Sequence, residues 1–398
     1  MQKRIITVIL IFLTINLLAS DDKEQNKMLK NKAIELSKKF LIIDTHIDIP
    51  YRLKNKWADI SLQTDEGHFD YPRAVKGGLD AAFMSIYIPS RYEDKGGSVE
   101  LADSLIDMVE NIARANPKKF AVAHSTNDVL KYFNLGIISF PLGMENGTPI
   151  EGSIKNLKHF YKRGIRYITL THAKANHICD SSYDPNKKWN GLSPFGKTLV
   201  TEMNKIGIMV DISHVSDSTF YQVLEITNAP VIASHSSCRH FTPGFERNMN
   251  DDMIKKLAEN NGVIQINFGS YFVDGNYQAT ETELDHYFKK NNIKRSSKEG
   301  KEYRKKLLIQ NKVTCGTVED VVNHIDHVVK LVGINYVGFG SDFDGVGKLP
   351  KGVEDASGYP NVIYELLRKG YSEEDIEKIC SGNLLRVWKE VELIAEQK

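Results

Sequence analysis

From residue 41 onward, short apolar and β-branched runs alternate with longer amphipathic or polar segments. That alternation restricts the chain to an α/β fold with a parallel sheet. The runs are Leu41–His46, Leu79–Pro89, Ile137–Glu145, Ile165–His172, Gly207–His214, Pro230–His235, Gly262–Phe268 and Tyr336–Asp342. Eight such units predict a closed (β/α)8 TIM barrel. Between them, Glu151–Arg163 carries apolar residues at Ile154, Leu157 and Tyr161, and Asp217–Ile226 follows the capping residue Ser216, so both read as helices. Pro230 then opens a strand where its missing N–H is tolerated. The stretch Tyr271–Asn311 is different, being long and rich in Lys and Glu. It predicts a helical insertion between strands 7 and 8 over the barrel mouth, as a lid or a subunit contact, with a solvated excursion as the alternative.

The N-terminus reads as a secretory signal peptide over residues 1–20: Lys3 and Arg4 precede an apolar run from Ile5 to Ala19 that ends at Ser20 before Asp21 and Asp22. At about 15 residues the run falls short of the roughly 20 that span a bilayer. The remainder, 21–398, is expected to be a single hydrolase barrel domain, since such barrels run from about 250 residues to over 400 with insertions. The segment Glu392–Lys398 lacks a lipid-anchor tail, so the expectation is an exported protein, periplasmic or secreted, with no stable membrane anchor. Fifty-two basic residues against 51 acidic ones give a net charge of +1 and no field to favour nucleic acid. Cys179, Cys238, Cys315 and Cys380 are widely spaced, without the paired spacing of a zinc ribbon or redox site, and read as buried or idle thiols with at most one bridge.

Six of the eight runs end in His, Glu or Asp: His46, Glu145, His172, His214, His235 and Asp342. That is the edge where barrel enzymes assemble their sites, and so many polar endings point to one shared centre. His46 and Asp48 stand two apart, on one side of an extended segment, so both can bind one ion. Taken alone, the pair reads more readily as a capped turn than as a ligand pair. His214 and His235 lie 21 residues apart, the spacing of neighbouring barrel strands, and suit a second zinc. Glu145 has two oxygens with which to bridge ions about 3.5 to 4 Å apart. Asp342 is placed to orient or deprotonate a water. His324 and His327, one helical turn apart, fall on the outer ring and are set aside as ligands. His68, His124, His159, His177, His240 and His286 have no strand-end context and read as ordinary surface or core residues. The glycines near Gly338, Gly340 and Gly345 lack dinucleotide-site spacing, and Arg304-Lys305-Lys306 reads as a solvated helix face.

In content and order, His46-x-Asp48, Gly143-Met144-Glu145-Asn146, Leu170-Thr171-His172, Asp211-Ile212-Ser213-His214, Ser234-His235-Ser236-Ser237, Arg247-Asn248 and Gly340-Ser341-Asp342-Phe343-Asp344-Gly345 resemble the membrane (renal) dipeptidases, zinc metallopeptidases on an amidohydrolase-like barrel. The resemblance implies two Zn2+ ions per chain, one held by His46 and Asp48, the other by His214 and His235, with Glu145 bridging. It further implies that His172 contacts the substrate and polarises its carbonyl, that Arg247 binds the free carboxylate, and that Asp342 serves a metal-bridging hydroxide as acid and base. The intervening Pro243-Gly244-Phe245-Glu246 departs from the family pattern, so Arg239 stands as a second candidate for the carboxylate. The implied substrates are dipeptides, including those with a C-terminal D-residue. A related binuclear amidohydrolase acting on a lactam, cyclic amide or ester, and a non-catalytic metal-retaining barrel, remain as alternatives, and a homodimer is left open.

Overall fold

The computed structural model describes residues 23–397, so the signal-peptide segment lies outside the described residues. Ten strands form one parallel sheet: β1 Ile43–Ile47, β2 Ala81–Tyr87, β3 Phe120–Val122, β4 Ile138–Phe140, β5 Leu142–Glu145, β6 Ile165–Thr169, β7 Met209–Asp211, β8 Ile232–Ser236, β9 Val263–Ile266 and β10 Val337–Phe339. Eight of them close a barrel in the order β1-β2-β5-β6-β7-β8-β9-β10, with β1 paired to both β2 and β10. Helices between successive strands pack outside this ring, which is the (β/α)8 architecture that the alternating pattern predicts.

Inside the ring the two ends are chemically opposite. Ile43, Ala81, Phe83, Tyr167, Met209, Ile232 and Val263 form an apolar plug with Leu384, Val387, Trp388 and Val391 of the C-terminal helix Asn383–Glu396. Most of these strand residues are the first of their strands, so the plug fills the N-terminal end, and the polar endings gather at the other. The Phe83 ring lies 5.2 Å from Trp388 and 5.4 Å from Tyr167, so an aromatic column rises from the plug toward the polar layer. A second, larger apolar cluster lies between the strands and the surrounding helices.

Three details differ from the sequence expectation. The run Ile137–Glu145 is not one strand: it breaks at Pro141 into β4 and β5, and β4 steps out to pair with β3. Pro141 has no N–H for a ladder, while its carbonyl still accepts from Met84 N at 2.9 Å. β3 has only three residues, too few to show a period. Finally, β6, β7 and β10 end three residues before His172, His214 and Asp342, which therefore stand on the loops that follow. His214 and Asp342 adopt left-handed backbone conformations, φ 69° and 62°, which end the strands and turn the side chains.

The insertion between β9 and β10, the seventh and eighth barrel strands, is helical, with Ser270–Val273, Gly275–Asn291 and Lys298–Gln310. The two longer helices share a small core of Leu284, Phe288 and Leu307. All four cysteines are free thiols. Among the described residues, no helix is long and apolar enough to cross a membrane.

Helix Val318–Val332 is tied to the barrel through His324. Its Nδ1 accepts from Cys238 N at 2.9 Å, and its Nε2 donates to Val273 O at 3.2 Å, so the ring is neutral and fully used. Burial pushes its pKa from 6.5 down to about 3. Between those values the unfolded chain binds a proton that the folded chain refuses, so stability rises with pH and is lost as pH falls through the window. One such group contributes a slope of up to about 1.4 kcal/mol per pH unit. In urea unfolding at pH 7 and pH 4.5, His324→Gln should show a shallower loss than the parent chain by up to that slope.

Candidate metal centre

Each strand brings its polar ending to the mouth by a different local device. His46 lies within β1, Glu145 ends β5 beside Tyr87 of β2, and His235 lies within β8. Asp48 immediately precedes the helix Ile49–Asn55, whose early Pro50 turns the chain away. His172, His214 and Asp342 come from the loops described above. Together the strands and loops place four imidazoles around one carboxylate. Glu145 Oε1 lies 3.5, 3.2 and 3.4 Å from Nε2 of His172, His214 and His235, and its Oε2 lies 3.4 Å from Nε2 of His46. Asp48 Oδ2 approaches the same His46 nitrogen at 3.4 Å.

The ring orientations follow from what the other nitrogen does. Tyr167 Oη donates to Thr45 O at 3.0 Å and so can only accept from His46 Nδ1, at 2.8 Å. Ser234 Oγ donates to Asp211 Oδ2 at 2.6 Å and accepts from His235 Nδ1 at 2.7 Å. Both rings therefore carry a proton on Nδ1 and turn Nε2 toward the centre, the arrangement typical of metal-binding histidines. Asp211 is itself fixed by Ser213 N, Ser234 N and the Thr169 hydroxyl.

Burial, and then the Arg247 guanidinium and His172, hold His214 well below the usual imidazole pKa. Burial, His46 and Arg247 do the same to His235, so both are neutral with free lone pairs near pH 7. Burial works against charge on His46, but Tyr167, Glu145 and Asp48 carry it well above 6.5. Burial opposes charge on Glu145 in turn, but the imidazoles around it, His46 and His172 foremost, hold it well below the usual carboxylate range.

These donors fit a metal. His46 Nε2 is buried with no hydrogen-bond partner, and the Nε2 atoms of His214 and His235 face each other at 2.9 Å. Three overlapping groups, His46/Glu145/His235, Glu145/His172/His214 and His46/Asp48/Asp342, each bring ligand atoms within 4.8 Å of one another. Imidazole nitrogens mixed with carboxylate oxygens form a donor set for a borderline divalent cation rather than for calcium or magnesium.

Asp342 stands beside His46 and Asp48, its carboxylate within 4.8 Å of their ligand atoms. Burial and the neighbouring Asp48 carboxylate raise its pKa well above the ordinary value, and Asn267 Nδ2 donates to its Oδ2 at 2.7 Å. Gly345 makes the approach of the two acids feasible, since a Cβ there would lie 2.2 Å from both Asp342 Oδ1 and Asp48 Oδ2. A methyl at Gly143 would likewise lie 1.9 Å from the Tyr167 ring, which needs that space to reach His46.

The two arginine candidates separate cleanly. Arg239 forms a two-pronged pair with Asp217, at 2.8 and 2.6 Å, and also donates to Asn248 O and Glu246 O. Arg247 is buried beside the centre, donating to Ser236 Oγ and His235 O at 2.8 Å each, with Nε unpartnered. Only two of the five N–H groups of its guanidinium are thus used.

Above these residues opens a cavity of about 990 Å3, with Asp48, Glu145, His172, His214 and Asp342 at its base. Tyr277, Glu281, Arg295 and Arg304 of the insertion line its mouth. The sequence pattern alone assigns no role to Tyr167, Asp211, Ser234, Asn267 or Gly345. Inward alternation could have found Tyr167 and Asp211, two positions from inward residues on their own strands, whereas Asn267 and Gly345 gave no such signal.

A parallel barrel with imidazoles and carboxylates gathered at its C-terminal mouth defines a metal-dependent hydrolase. Residues 30–398 match the membrane dipeptidase family (peptidase family M19), and the chain belongs to it. It is a metallo-dipeptidase by family, and its substrates as a class are dipeptides. An uncharacterised dipeptidase of Schizosaccharomyces pombe is 32% identical over 397 residues, covering 95% of this chain and 86% of that protein. A dipeptidase of Claviceps purpurea is 34% identical over 336 residues, covering 83% and 70%. The crystal structure of a probable dipeptidase from Pseudomonas aeruginosa superposes with a TM-score of 0.79 at 25% identity, covering 93% of this chain and all of that one.

Tyr167→Phe removes only the hydroxyl that accepts from His46. Cation affinity measured by chelator competition should fall about 10- to 100-fold with the circular dichroism spectrum unchanged. Undiminished affinity would mean that packing alone orients the ring.

Proposed function

We propose that the chain cleaves the single peptide bond of a dipeptide with two zinc ions, His46 and Asp48 holding one, His214 and His235 the other, and Glu145 shared between them. The observation that carries this reading is the convergence of four Nε2 atoms on the Glu145 carboxylate, next to a buried guanidinium with donors to spare. When bound, the ions lower the pKa of coordinated water toward neutrality and draw electron density from the substrate carbonyl.

The protein's own groups do the rest. Asp342 takes the proton of the attacking water and hands it to the leaving amine, held in position by Asn267. Its raised affinity for a proton suits the first half of that task. His172 is the most exposed of the four rings at 21% and faces the cavity, where an N–H can steady charge that develops on the carbonyl oxygen. Arg247 offers its remaining donors to the substrate carboxylate, and the buried setting strengthens that contact. A clamp of this kind selects substrates that end one residue beyond the cut. Acceptance of a D-residue at that end and export to the periplasm or medium belong to the same reading. They rest on the resemblance and on the Lys3-Arg4 segment followed by the apolar Ile5–Ala19.

Metal analysis of the purified protein together with a dipeptide panel tests the proposal: two zinc ions per chain and turnover of both L-Ala-L-Ala and L-Ala-D-Ala are expected. Asp342→Asn should keep its metal content while kcat falls about 10²- to 10⁴-fold. Normal turnover by that variant would remove Asp342 from the proton path. Loss of charge-assisted bonds worth about 1.5 to 3 kcal/mol should lower kcat/KM for a dipeptide amide roughly 10- to 150-fold relative to the free acid. Equal turnover of acid and amide would rule out the Arg247 clamp.

A further inference from the structure

A second group of metal-capable side chains lies outside the barrel mouth, assembled from three different elements. His240 stands in the turn Arg239–Phe241 that follows β8, Asp251 is the first residue of the helix Asp251–Glu259, and His327 lies on the helix Val318–Val332. His327 Nε2 is 2.8 Å from Asp251 Oδ1. The rings of His240 and His327 stack at 4.3 Å between centroids and 21° between planes. One ligand atom from each of the three residues lies within 4.8 Å of the others. We infer that His240, Asp251 and His327 form a peripheral site for a divalent transition cation of the zinc class.

The chemistry of the three donors supports a ligand role over a purely structural one. His324, one helical turn earlier, shows what a structural histidine looks like here, being fully buried with both nitrogens committed to backbone groups. His240 is exposed and His327 only partly so, and their rings stack on each other. Asp251 pairs with His327 rather than with a Lys or Arg that would compete with a cation, whereas the adjacent Asp252 accepts from Tyr221 Oη. Two nitrogens and a carboxylate suit Zn2+, Co2+, Ni2+ or Cu2+, and are a poor set for Mg2+ or Ca2+, which take oxygen. A bound cation would fasten the segment running from β8 to Arg247 onto the two helices beneath it.

The test uses zinc-loaded protein dialysed to remove loosely held metal, then titrated calorimetrically with Zn2+. The parent chain should take up one equivalent more than either His240→Gln or His327→Gln, and its thermal midpoint should rise with added zinc where theirs does not. Both variants should keep the metal retained on dialysis and the parent rate of dipeptide turnover. His240 is exposed, so its variant tests the site even if His327→Gln folds poorly. Equal uptake by parent and His240→Gln overturns the inference, whatever the occupancy of the barrel mouth, because only the difference between the two is read.

Discussion

Glu145 is buried in a ring of four imidazoles, and this arrangement places demands on much of the structure around it. A buried carboxylate must be met by donors or cations, and imidazoles crowded together must each be told which nitrogen carries the proton. Two of the rings receive that instruction from specific neighbours, His46 from Tyr167 and His235 from Ser234 backed by Asp211. Those neighbours in turn need their own support, including the space that Gly143 leaves for a phenol ring. The mouth is thus specified one shell deeper than the side chains that would touch an ion.

The polar layer depends equally on what lies under it. Trp388, Phe83 and Tyr167 form a column whose lower members sit in the apolar plug and whose upper member ends in the hydroxyl that meets His46. The C-terminal helix therefore reaches the site indirectly, by filling the base on which Tyr167 rests. Truncating a buried Trp of this kind to Ala typically costs about 3 to 5 kcal/mol, and here the loss would be felt next to the chemistry.

Much of this was legible in the sequence because the strands are short, buried on both faces and punctuated by polar endings. Leu41-Ile42-Ile43 before His46, and Pro141-Leu142-Gly143-Met144 before Glu145, announce both the strand and its mouth. Four aspects were hidden for physical reasons. The break at Pro141 sits inside an otherwise continuous apolar run, and the three-residue β3 has no period to detect. The strand ends at β6, β7 and β10 are set by backbone turns, visible as positive φ at His214 and Asp342, which side-chain pattern does not encode. That Asp217, 22 positions from Arg239, engages that guanidinium while Arg247 turns to Ser236 and His235 is set by the fold and not by spacing.

The seam of the barrel is where β1 meets β10. Asp44 holds it together, accepting from His46 N and from Ser341 N, 297 positions away in the chain, and from the Tyr359 hydroxyl. The first and last donors of the mouth, His46 and Asp342, flank that seam, and Asp342 N itself donates to His46 O. Hydrolysis is consequently a property of the finished ring only. A chain still emerging during synthesis carries His46 long before Asp342 exists, so the centre is incomplete until the longest-range pairing of the barrel is made.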